Sequence, residues 1–466
     1  MSSPRCADGR PFYNDRTLDV DAIRELRPSD PERPTRLAAK TCRQTLLIDI
    51  RPLRHNAAFR LLFASQFVSA LGTMVSYVAV PWQVYQLTHS NAQVGLLALV
   101  QLVPVIVCGL LGGAVADRVD RKRLLIGTEA LMAACLAGLL ANTIAASPSV
   151  LVIYALVAVL QGATGFHRPA LEALTQKLAR RDEFAAVAAL SSVRGTFGMV
   201  AGPAIAGLLL AGGGAAAAYG FDLVTFIVAL LLIARIPRES VDVPARSDES
   251  AHLLVDLAEG LRYAWKKPEL MGTYIVDIVA MAFAFPIALF PAMAEAYGRT
   301  ESVGWLMSAM SVGALVIGLV SGWTSRVTRH GRGVVVSAAA WGSGILAMGI
   351  ALACGLGLWS AMACLAFAGA ADMLSGVFRG TIWNETIPNA MRGRLAGIEM
   401  ISYLTGPLIG NARAGFTAEV SGLSIAIWSG GAICVAAVIA TGFLLPRFWR
   451  YQGGQHAAGA HLESRS

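Results

Sequence analysis

Gly112-Gly113-Ala114-Val115-Ala116-Asp117-Arg118-Val119-Asp120-Arg121-Lys122-Arg123 joins two long apolar runs and carries two acids and four basic side chains. A link this short cannot hide that charge in hydrocarbon, so it lies in water at a membrane face. Its basic residues favour the cytoplasmic face. The glycines permit close approach of the flanking helices, and Asp117 is placed to accept hydrogen bonds from a neighbouring helix N-terminus. The plainest alternative is a positive-inside anchor and nothing more.

The same alternation of apolar run and charged turn governs the whole chain. Its 466 residues are 55% hydrophobic and 15% charged, with a mean hydropathy of +0.58, whereas a soluble domain carries about 25% charged residues. Apolar runs of helix length fall at about 57–84, 94–115, 124–145, 150–174, 184–210 and 219–236. After a polar interval they resume at about 270–297, 303–323, 334–356, 359–383, 395–418 and 425–445. Twelve such runs predict an all-α membrane protein of twelve transmembrane helices. The expected segments are a disordered cytoplasmic tail over 1–50, a six-helix bundle over 51–236 and a cytoplasmic central loop over 237–268. A second six-helix bundle over 269–446 and a short cytoplasmic tail over 447–466 complete the chain. Within the loop, Leu253, Leu254, Leu257, Leu261 and Trp265 have helical spacing. They predict an amphipathic helix along the membrane face that ties the two halves together, ending at Pro268.

Lys and Arg gather on alternate connections, Arg299 being the exception, so both termini are expected in the cytoplasm. The net charge of +8 is thereby accounted for by topology and implies no nucleic-acid partner. Five of the seven cysteines (Cys108, Cys135, Cys354, Cys364, Cys434) sit inside apolar runs without metal-ligand spacing, so neither a disulfide framework nor a metal site is expected. No G-x-x-x-x-G-K-[ST] loop is present to bind nucleotide, and no H-E-x-x-H pair to make an intramembrane metalloprotease. A receptor of this size would be expected to carry a signalling domain, for which neither tail is long enough.

The two halves echo each other. Gln161, Gly165, Arg168 and Glu172 in the fourth run match Asp372, Gly376, Arg379 and Trp383 in the tenth under one fixed offset, each set on one helix face. In the fifth run, Gly198, Gly202, Pro203 and Gly207 combine close-packing glycines with a proline that removes a backbone hydrogen bond. A generic small-residue packing face is the alternative there.

These features resemble the major facilitator superfamily of transporters. The pattern G-x-x-x-D-R-x-x-R-K-R, carried by Gly113, Asp117, Arg118, Arg121 and Lys122, is similar to that superfamily's loop 2–3 gate signature. Two departures are Asp120, where Gly is usual, and Val115, where Leu is usual. The fifth run resembles the G-x-x-x-G-P-x-x-G-G signature of proton-coupled drug exporters, with Ala206 replacing one glycine. Glu259–Pro268, Val94-Gly95-Leu96 and Val303-Gly304-Trp305-Leu306 point to the branch that holds the enterobactin exporter and the macrolide and multidrug efflux pumps. That resemblance implies two pseudo-symmetric bundles, alternating access, proton antiport without a bound cofactor, a bacterial inner-membrane location and a small organic substrate. A siderophore is the first expectation and a macrolide or other drug the second. A monomer is the simplest assembly. The arginine that the superfamily often places before Gln161-Gly162 is Ala158 here, so a coupling scheme built on it does not carry over.

Each ionisable group inside an apolar run costs at least about 2.5–3.5 kcal/mol and needs a reason. Arg168, Glu172, Arg194, Asp277, Asp372, Arg379 and Glu399 are the cavity candidates. Arg168 and Glu172 either neutralise each other as a gate pair or meet substrate. Asp277 and Asp372 are the expected proton carriers. Arg168 and Arg379 either face each other across the pseudo-two-fold axis or pair internally with Glu172 and Asp372. By the resemblance, Glu129 and Asp222 sit on peripheral helices and are expected at the interface. Arg413 is expected to snorkel to the outer surface.

Overall fold

A computed structural model describes residues 49–237, 253–388 and 391–453 of the chain. Residues 1–48 of the first expected tail, 238–252 of the central loop and 454–466 of the second tail lie outside the described residues, as do the side chains of Asp117 and Arg118.

The first helices are punctuated by side chains that satisfy backbone groups. Helix α1 (Ala57–Thr88) begins at Asn56, whose side-chain oxygen accepts from the Phe59 amide while its own amide donates to the Leu178 carbonyl. Ser90 caps α2 (Asn91–Arg118). Asp120 caps α3 (Arg121–Ile144), accepting from the Arg123 amide at 2.7 Å. That cap gives a physical reason for an acid at this turn position: it satisfies an orphan donor of the α3 first turn. Helix α4 is Val150–Leu178.

The next 51 residues, Phe184–Ala234, form two helices that meet at Gly214. Its φ of 64° and ψ of −162° are open to glycine and costly for other residues. Residues 184–213 are α5 and residues 215–234 are α6. Helix α7 (Pro268–Ala296) is interrupted after Ala284. Pro286 supplies no amide there, a 3₁₀ turn follows at Ile287–Leu289, and the freed Ala288 amide donates to Asn411 Oδ1 at 2.9 Å. The chain then forms α8 (Ser302–Leu319), α9 (His330–Ala353), α10 (Leu358–Thr386), α11 (Arg392–Ser421) and α12 (Leu423–Leu444).

Ten helices among the described residues are long and apolar enough to cross a membrane, with Phe184–Ala234 taken as one. Separating α5 from α6 and adding the more polar 30-residue α11 brings the spans to the expected twelve.

In the first bundle α1 packs on α5 and α6, α2 on α4, and α3 on α4 and α6. In the second, α10 packs between α8 and α9, while α12 packs on α9 and α7. The bundles join along α2–α11 and α5–α8. Lipid gives helices no hydrophobic reason to associate, so these seams rely on close backbone approach. Gly95 lies against Gly415, and Gly207 against Gly304. A methyl group at Gly304 would run into the Pro203 carbonyl. The amphipathic helix (Leu253–Trp265) docks on the second bundle, burying Ala264 with Leu270, Tyr274 and Leu395. Tyr263 donates to the Thr386 carbonyl at 3.1 Å.

Candidate functional site

A cavity of about 350 Å³ is walled mainly by α1, α2, α4 and α5 of the first bundle, with Ile287, Ala288, Leu408 and Asn411 of the second bundle also in its lining. Its polar lining includes Gln66, Tyr77, Gln101, Gln161, Arg168 and Arg194. At the end where α1 turns into α2, the bundles are latched. Glu419 accepts from the Ser90 hydroxyl at 3.0 Å and from the Ala92 amide at 3.1 Å, placing a carboxylate on the positive end of α2. His89 and Glu295 approach to 3.9 Å across the same seam. Halfway down, Ser308 donates to the Val200 carbonyl at 3.0 Å.

The matched arginines of the two halves meet different fates. Arg168 and Arg194 both line the cavity, lie within electrostatic range of each other, and have no ion pair among the described residues. Of the two alternatives for Arg168 and Glu172, the gate pair is not formed among them. Arg379 is turned into its own bundle, where it is paired with Asp277 and lies 3.9 Å from Asp372. Asp277 also accepts from Ser402 at 3.2 Å, and Glu399 lies within electrostatic range of Arg379. Trp383 stacks on Tyr274 and donates to Thr273 at 2.8 Å. None of Asp277, Asp372, Arg379, Trp383 or Glu399 lines the cavity. Of the two alternatives for Arg379 it takes the internal one, near Asp372, and the two arginines that line the cavity both come from the first bundle, on α4 and α5.

Two further expectations are overturned by burial. Glu129 and Asp222 were expected at the membrane interface, yet they are 0% and 1% exposed, sealed against α1. Gln66 donates to Glu129 Oε1 at 3.2 Å, and His167 Nε2 stands 3.7 Å from the same oxygen. Ser76 donates to one oxygen of Asp222, and Thr225 Oγ1, which donates to the Asp222 carbonyl at 2.7 Å, lies 3.2 Å from the other. Arg413 does not snorkel; it donates to the Ala426 carbonyl at 3.3 Å and packs on Gly430. A signal for the buried acids was present in α1. Gln66, Ser69, Thr73, Ser76 and Gln83 share one helix face, and a polar face inside lipid needs polar partners.

The loop 2–3 residues divide by role. Gly112 makes the close approach, against the Gly165 carbonyl, whereas the space beside Gly113 is open. Lys122 is nearly buried and donates to the Ala234 and Ile236 carbonyls at the end of α6, where a cation complements both the orphan acceptors and the helix dipole. In α5, Gly202 faces Met74 of α1, while Pro203 and Gly207 face Gly304 of α8. That short motif thus packs against both bundles.

Two six-helix bundles closed at one end around a cavity with unneutralised charge define a membrane transporter of the major facilitator type. The chain belongs to the transmembrane secretion effector family, whose profile matches residues 49–456. Relatives include the enterobactin exporter EntS of Salmonella choleraesuis, 29% identical over 398 residues, covering 83% of this chain and 94% of the relative. The enterobactin exporter EntS of Shigella flexneri is 30% identical over 380 residues, covering 80% and 88%. Among solved structures, a bacterial homologue of the iron transporter ferroportin in its inward-facing state matches with a TM-score of 0.63 at 12% identity, covering 84% of this chain and 98% of that one. The nucleoside transporter NupG matches with a TM-score of 0.64 at 14% identity, covering 84% and 99%. These last likenesses establish the fold alone.

Proposed function

We propose that this secondary transporter exports a siderophore of the enterobactin type across a bacterial inner membrane, by proton antiport and alternating access. The observation that carries the reading is the pair of cavity arginines, Arg168 and Arg194, without carboxylate partners among the described residues. Guanidinium offers planar forked donors to acidic oxygens and also stacks on aromatic rings, and a catecholate presents both. The carboxylates and tryptophan that would favour a cationic macrolide (Asp277, Asp372, Trp383) are not among the residues that line this cavity. Asp222, which does reach it, is held by the Ser76 hydroxyl. Identity of about 30% to enterobactin exporters supports the same substrate class.

In a strain lacking the gene and grown without iron, siderophore secretion should fall and return with the wild-type gene. Unchanged secretion with raised macrolide or dye sensitivity would replace this reading with drug efflux.

The basic turn at 118–123 supports an orientation with both termini in the cytoplasm. The latched end at Ser90 and Glu419 is then periplasmic, and the described conformation is the one that loads substrate from the cytoplasm. A reporter at Ser147 should read periplasmic and one after Gln452 cytoplasmic; the reverse would invert the direction of transport assigned here.

A further inference from the structure

We propose that Glu129 and His167 together form the proton-binding site of this transporter, in place of Asp277 or Asp372. The role in transport rests on the proton-antiport reading; the site itself rests on geometry. Glu129 is fully buried on α3, and one of its carboxyl oxygens, Oε2, has no hydrogen-bond partner among the described residues. The other accepts from Gln66 and faces the His167 ring. An ionised carboxylate in lipid would be expected to fill both oxygens, so this one is arranged for a form that binds a proton.

The tautomer of His167 follows from its second partner. Thr128 Oγ lies 2.9 Å from the Leu124 carbonyl and 3.0 Å from the Leu125 carbonyl, so its single hydroxyl hydrogen is directed to its own helix backbone. Its oxygen is left to accept from His167 Nδ1–H at 3.2 Å. Neutral His167 therefore turns the lone pair of Nε2 towards Glu129 Oε1, 3.7 Å away. One proton placed between them is held either as a carboxylic acid facing a neutral imidazole or as a carboxylate facing an imidazolium. No covalent bond other than O–H and N–H changes.

Access is built in. Gln66 and His167 line the cavity while Glu129 lies behind them, so a proton from the cavity reaches the gap between Nε2 and the buried acid past these two side chains. The charged surroundings are Asp222 from α6, felt by Glu129, and Arg168 on α4 and Arg194 on α5, felt by His167. The substrate-binding arginines and the proton site are thus electrostatic neighbours. Asp222 is the rival carboxyl: one oxygen accepts from Ser76, the other lies 3.2 Å from Thr225 Oγ1, whose single hydrogen is directed to the Asp222 carbonyl at 2.7 Å, and no base stands beside it among the described residues. Asp277 is committed to Arg379.

The test is infrared titration of the purified protein in lipid, following the protonated-carboxyl band, with no substrate present. The wild type should show a titrating buried carboxyl, and Glu129→Gln should remove it. His167→Gln should keep the band and move its midpoint by roughly one to three pH units. Retention of the band in Glu129→Gln, its loss in Asp222→Asn instead, or an unmoved midpoint in His167→Gln would overturn the site. The last variant leaves the carboxyl in place and decides the matter even should Glu129→Gln not insert. Titration as predicted in a protein that moves no siderophore would leave the proton site standing and reject the substrate reading.

Discussion

Replacing Arg168 and Arg194 together with alanine should weaken catecholate binding by roughly two to four orders of magnitude. Each charge-assisted hydrogen bond is worth about 1.5–3 kcal/mol, and the two act on one ligand. Neither arginine has an ion-pair partner to abandon among the described residues, so the double variant should insert and melt like wild type. Arg168→Lys with Arg194→Lys should lie between, since lysine restores the charge without the planar fork. Ligand titration into the purified protein, followed by calorimetry, provides the affinities. Wild-type affinity in the alanine variant would remove both residues from the substrate site.

Arg379→Ala should behave in the opposite way, failing through stability. Its guanidinium sits with Asp277 inside the second bundle, where both side chains are nearly buried. Removing one member of such a pair leaves an uncompensated charge and costs about 3–5 kcal/mol. The variant should express poorly and melt early in detergent. Asp277→Asn combined with Arg379→Gln should recover much of the loss, because two neutral amides can satisfy each other and Ser402. Normal melting of Arg379→Ala would mean the pair does not hold α7 to α10. The contrast between Arg168 and Arg379 also shows why symmetry in sequence is an incomplete guide. One offset aligns the two residues, but only the second half supplies an acid on a neighbouring helix to capture its arginine.

Much of the fold is legible in the chain because lipid forces its mark on every span. Runs of helix length, charged turns and the 118–123 basic cluster each follow from the cost of leaving polar groups in hydrocarbon. Gly214 was harder to read: a single residue with positive φ turns α5 into α6, where hydropathy alone suggests a longer interval. The site was only half legible. Arg168 and Arg194 stand out as charges in apolar runs, and the cavity contains both. The burial of Glu129 and Asp222 is not legible in the sequence because their hydrogen-bond partners on α1 are distant along the chain: Gln66 is 63 residues from Glu129, and Ser76 is 146 residues from Asp222. A helix placed at the bundle periphery can still turn one face inward, and whether an acid lies on that face depends on its neighbours. The loop signature was likewise legible as a whole but not by residue, since Lys122 finds its acceptors only where α6 ends beside it.

Proton-driven transport of a catecholate siderophore from the arginine-bearing cavity is tested by flux in vesicles that hold the purified protein with its cytoplasmic face outward and are made acidic inside. The siderophore should accumulate against its own gradient, an accumulation abolished by collapse of the pH difference and absent in the Arg168→Ala, Arg194→Ala variant. Vesicles that accumulate a cationic macrolide while leaving the siderophore at equilibrium would contradict it.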